Sequence, residues 1–207
     1  LEGFRTQQDS TECQWDEILE DKSKSTENFL RWIFQSHVGS RAGRNTLFDD
    51  FLSHFYAEHT NSTISNSDAD KILLTSKRLK EEVARARKIS KGVWPFSTTS
   101  LPITGWDRNR LSLLINELGL TVTVPLLLSS YSLGERKFSE IVQLLEKFLF
   151  RYKIISNAHI EKAVSIFQKH SIKIRSDLLN YNISLLKTDL REILNEKAND
   201  QQFKTSL

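Results

Sequence analysis

The chain has 207 residues, 39% hydrophobic and 27% charged, with a formal net charge of +3. That length suits one large or two small cores, and that balance belongs to ordinary globular chains, so low-complexity disorder is excluded. No apolar run approaches the ~20 residues of a membrane helix, and a charge this small does not by itself argue for nucleic acid.

The longest apolar run, VTVPLLL, is broken by Pro125, and the opening LEGFRTQQDS has no basic-then-apolar leader pattern. A cytoplasmic location, with no membrane partner, is therefore expected. A chain that opens on Leu and contains no Met reads as an internal piece of a longer protein. Its single cysteine, Cys13, cannot form an internal disulfide or a cysteine-rich metal site, and is expected to be a buried or idle thiol.

In chain order, the first third holds three sets of apolar residues at helical spacing: Trp15, Ile18 and Leu19; Phe29, Leu30, Ile33 and Phe34; then Leu47, Phe48, Phe51, Leu52, Phe55 and Tyr56. Each set predicts one buried helix face. Gly39 and Gly43 supply the loop between the second and third helices, and the polar run HTNSTISNS follows the third. A helix resumes at Ser67, where Ser67 and Asp70 have capping-box spacing. It carries Ile72, Leu79, Val83 and Ala86 on one thin apolar face and is charged elsewhere, which predicts a surface helix.

The stretch KGVWPFSTTSLPITGWDRN is read as a loop or junction because of its prolines and glycines. The expected organisation is an N-terminal helical subdomain over 1–92, a junction over 93–109 and a C-terminal helical subdomain over 110–207. In the last part Leu111, Leu114, Ile115 and Leu118 form a face, Gly119 is placed to end that helix, and Pro125 opens a short buried helix, PLLLSSYS. The stretch FSEIVQLLEKFLFRYKI follows, with Phe138, Ile141, Val142, Leu145, Phe148, Leu149 and Tyr152 on one stripe. Asn157 is read as the N-cap of the next helix, with Ile160, Ala163, Val164 and Phe167, and the short connection predicts a packed hairpin. A further helix with Leu178, Leu179, Leu186, Leu190, Ile193 and Leu194 comes next, then a short one from about Asn199. LTVTV is the one weak strand candidate. The predicted fold is all-α, an irregular multi-helix bundle built from helical hairpins, with about eight to ten helices.

Little in the sequence points to chemistry. His54 and His59 lie about 140° apart on a helix, and His159 and His170 about three turns apart on another, so neither pair can share a metal ion. Asp49 and Asp50 are adjacent and point to different parts of a helix surface, which suits solvated faces better than acid–base catalysis. A phosphate-cradling glycine loop, a nucleophile elbow and an HNH-like pair of histidines are all missing. Catalytic, cofactor and metal-binding residues are therefore expected to be absent from this stretch of chain.

The basic run has a functional edge. From Lys71 to Lys91, eight basic side chains face two acidic ones, a net of +6 against +3 for the whole chain. Clustered Lys and Arg can track a phosphate backbone without reading sequence, which makes Lys77, Arg78, Arg85, Arg87 and Lys88 the candidate nucleic-acid-binding residues. The competing reading is a solvated helix balanced by acidic neighbours. No interleaved aromatics suggest base stacking.

The succession PLLLSSYSLGERKFSEIVQLLEKFLFRYKI, the helix through Phe167 and the late DQQF resemble the helical region of the GmrSD-type restriction endonuclease family. ENFLRWIFQSHVGSRAGRNTLFDDFLSHF, with its helix, glycine loop and aromatic helix, looks like the matching upstream segment, so the resemblance covers most of the chain. These are structural rather than catalytic signatures. In that family a ParB-like, nucleotide-dependent domain with a DGQQR motif precedes the helical region and an HNH nuclease domain often follows it. Neither motif occurs here, so no nucleotide-hydrolysing or nuclease residue carries over. The resemblance implies that Arg151 and Tyr152 end the helix before the hairpin, that Asp200 and Phe203 open a link toward the nuclease end, and that the partners are those flanking domains and DNA. Three functions stay open: a non-catalytic helical scaffold in a modification-dependent restriction enzyme, a stand-alone helical module that binds a protein partner through an aromatic groove, or a small enzyme whose site the sequence does not announce.

Overall fold

The computed structural model describes residues 5–19, 24–43, 45–57, 65–97 and 103–197. All of the described regular structure is helical: α1 (Arg5–Leu19), α2 (Lys24–Val38), α3 (Leu47–Phe55), α4 (Asn66–Ser90), α5 (Gly105–Ser112), α6 (Val124–Tyr131), α7 (Glu135–Leu149), α8 (Glu161–Ser176) and α9 (Ile183–Lys197). The all-α expectation holds, with nine α-helices among the described residues. The chain divides into two compact units, one comprising residues 1–35 and 40–86, the other 36–39 and 87–207.

The first unit is built on the aromatic faces of α1 to α3. Ile18, Phe29, Ile33, Phe34 and Phe51 are buried, and Phe51 meets Trp15 edge-on at 6.3 Å and Phe55 at 4.4 Å. The predicted faces are narrower than their sequence pattern, because Leu19 is 50% and Phe48 70% exposed. Helix α4 closes this unit by burying Ala69, Ser76, Leu79, Val83 and Ala86. Its capping box lies two residues earlier than the sequence suggests. Ser65 donates its N–H and hydroxyl to Asp68 and accepts from the Asp68 N–H, while Asp70 instead accepts from Gln7. Cys13 is free and exposed.

In the second unit, α6 is buried from Val124 to Ser130, with Pro125 in its first turn as predicted. The whole predicted stripe of α7, continued by Tyr152, is buried. Gly119 adopts φ +66° and so ends the preceding helix in the left-handed region. LTVTV is not a strand: Thr121–Thr123 form a 3-10 turn that runs into α6, and the Thr123 hydroxyl bonds the Leu120 carbonyl.

Three further expectations are corrected by the chain between α7 and α9. Asn157 does not cap α8, which begins at Glu161; it takes φ +46° at the end of a π-helical turn, Phe150–Ile155, where the Ala158 N–H bonds the Tyr152 carbonyl. Asparagine tolerates that left-handed geometry better than most residues, so the same residue type that suggests an N-cap serves here as a C-terminal stop. His159 accordingly precedes α8. The short connection does not make a packed hairpin either, because α8 packs chiefly on α6 and then on α9. Leu178 and Leu179 are exposed in the turn before α9, where Asn180 bonds Asp177, and only Leu186 and Leu190 of the predicted face are fully buried. The expected helix from Asn199, Asp200 and Phe203, and His59 lie outside the described residues.

Candidate functional site

Helix α4 forms because its sequence supplies a cap, an apolar face at helical spacing and Asp68 in the first turn with Arg87 and Lys88 in the last, both favourable to the helix dipole. Leu79, Val83 and Ala86 turn inward, so the long cations are left on the outer and flanking faces. The five candidate residues are not equivalent. Lys77 and Arg78, in the first unit, are exposed, and neither has an ion-pair partner among the described residues. Arg85 is half-buried and lies 3.7 Å from Glu81 one turn before it. Lys80, between them in sequence, is bound to Glu17 at 2.5 Å. Arg87 and Lys88 belong to the second unit, Arg87 half-buried and Lys88 exposed.

The first unit also carries a cavity of about 190 Å³ lined by Trp15, Leu30, Phe48 and Phe51 together with Glu27 and Arg31. The Arg31 guanidinium is committed there, bonding Glu27 and the carbonyls of Ala42 and Gly43.

The second unit contains a polar cluster that the sequence reading passed over. His170 is fully buried on α8, with Nδ1 2.9 Å from the Tyr181 hydroxyl and Nε2 3.0 Å from Asp189 Oδ2 of α9. Lys169 Nζ reaches the same Asp189 oxygen at 2.7 Å. The Lys169 hydrogen bond holds the Asp189 carboxyl below its ordinary range, and burial pushes His170 down and Tyr181 up. A signal was present: Ala163, Phe167, His170 and Ile174 fall on one helical face, so a histidine stands in an otherwise apolar row.

Other polar side chains tie helices together. Arg110 of α5 pairs with Glu146 of α7, Gln143 donates to Asp107 at 3.0 Å, and Trp94 donates its indole N–H to the buried Glu135 at 2.7 Å. Arg175 donates to the hydroxyls of Ser129 and Ser36. Among the described residues no group of three or more His, Cys, Asp or Glu side chains is arranged to hold a metal ion, and no single helix is long and apolar enough to cross a membrane. No protein-family model matches the chain, and a search of curated proteins finds no match.

Proposed function

We propose that this chain is a non-catalytic helical scaffold in a prokaryotic, modification-dependent restriction endonuclease-like protein of the cytoplasm, joining a nucleotide-dependent domain to a nuclease domain and touching duplex DNA through α4. The observation that carries the DNA contact is the pair Lys77 and Arg78, exposed on a helix whose opposite face is buried. Such cations contact phosphates without reading bases. What supports a scaffold is that the polar groups that could do chemistry, His170, Asp189, Arg110, Glu146 and Glu135, bind one another or neighbouring helices.

The scaffold reading is tested by incubating the purified chain with plasmid duplex, Mg2+ or Mn2+, and ATP or GTP. Neither cleavage nor nucleotide hydrolysis is expected. Metal-dependent nicking that survives clean preparation overturns it. A second reading, a stand-alone protein-interaction module, draws on the aromatic cavity beside Phe48, which is 70% exposed. At about 190 Å³ it is smaller than the ~300–1,000 Å³ of drug-sized ligand pockets and closer to the size of one apolar side chain.

A further inference from the structure

We propose that His170 is a proton-operated clasp that holds α9 on α8 while its imidazole is neutral and loosens α9 when it is protonated. Both ring nitrogens of this fully buried side chain are engaged by groups outside α8, Asp189 on α9 and Tyr181 on the segment leading into it. With Asp189 a carboxylate, Nε2 carries the hydrogen and donates to Oδ2. Nδ1 is then an acceptor, and the Tyr181 hydroxyl donates to it.

Adding a proton at Nδ1 reverses that second bond. Nδ1 becomes a donor, the Tyr181 oxygen becomes the acceptor, and the Tyr181 hydrogen loses its partner in a buried site. The new charge is poorly balanced as well. Around His170 stand Lys169 and Lys173 from its own helix and Asp189 from α9, and Asp189 Oδ2 is already shared with Lys169. Two lysines against one aspartate leave a surplus positive charge before the imidazole is protonated. Helix α6 and the Thr121–Thr123 turn, which make the other main contacts with α8, carry no charged side chain to offset it. The end of α2 and Gly39 just after it, which meet α8 at Arg175 and Ile172, add no carboxylate.

The direction of the pH effect follows. Burial sets the folded His170 below its ordinary value of 6.5, so the clasped state binds fewer protons than the opened one. The clasp is fully effective above about pH 6.5 and weakens as the pH falls from there toward the folded value. The depressed Asp189 titrates below its ordinary 3.8, so within this cluster only the histidine changes charge between pH 7 and 5, and the His170→Gln variant separates it from the chain's other histidines.

The test is hydrogen exchange of the α9 amides between pH 7 and 5, corrected for intrinsic exchange, in the 207-residue chain and its His170→Gln variant. The wild type should show an α9 opening equilibrium that rises as the pH falls below about 6.5, by at most tenfold per unit because one proton is linked, and the variant should be flat. A flat wild-type response, or an equal slope in the variant, overturns the proposal. Should the variant fail to fold, NMR titration of the wild-type His170 ring decides: a midpoint below 6.5 supports the clasp, and one at or above 6.5 overturns it.

Discussion

Gly39 and Gly92 show how little a matching backbone angle says about the effect of a substitution. Both sit in the left-handed region, at φ +72° and +68°, where a Cβ costs about 1–2 kcal/mol. At Gly39 the added carbon would meet Ile172 Cδ1 at 2.2 Å, the far end of a side chain that is 39% exposed and can turn away. At Gly92 it would meet the Ser112 Cα at 2.7 Å, and that backbone cannot yield without moving the end of α5. Gly39→Ala should therefore lower stability by about 1–2 kcal/mol, and Gly92→Ala by about 2–5 kcal/mol once overpacking is added. Chemical denaturation of both variants checks the order, and equal losses would show that the Ser112 backbone gives way. Glycine in a loop was legible in the sequence at both positions. Which atom stands opposite each was not, since Ile172 and Ser112 are distant in the chain.

At the scale of elements, α7 was the most readable because its pattern is redundant: seven apolar residues from Phe138 to Tyr152 repeat the same face, and all are buried. Leu145→Ala or Phe148→Ala should cost about 2–5 kcal/mol in an equilibrium unfolding experiment, and a loss under about 0.5 kcal/mol would place that face in solvent. Where one residue decided the reading, it was fallible. Asn157 fits a cap before α8 as well as a stop after the π-helical turn, and only the bond from Ala158 to the Tyr152 carbonyl selects the second. Ser65 and Ser67 each have an aspartate three residues on, and the box forms at the first, the residue just before α4, while Ser67 lies inside the helix. Leu178 and Leu179 continue a helical pattern on paper, yet the Asp177–Asn180 turn interrupts the chain there. The His170 cluster was hidden for a different reason: its partners come from two segments, 11 and 19 residues away, and no local spacing records that meeting.

For the molecule as a whole, the central claim is a helical support whose one nucleic-acid contact is the outer face of α4. The sequence offered five cations for that contact without ranking them. The structure separates them, because Arg85 has an acidic neighbour at 3.7 Å and Arg87 is half-buried, while Lys77 and Arg78 of the first unit and Lys88 of the second are exposed; Lys80, outside the five, is bound to Glu17 at 2.5 Å. The most direct measurement is fluorescence anisotropy of a labelled duplex across a series of salt concentrations, comparing wild type with the double variant Lys77→Gln/Arg78→Gln and with Lys80→Gln, thermal melts confirming that each is folded. Two lost phosphate contacts should flatten the log–log salt dependence by about 1.8, at ~0.9 per contact, equally for modified and unmodified DNA, and Lys80→Gln should change it little. An unchanged slope in a folded double variant would contradict the account and leave α4 as a solvated strut.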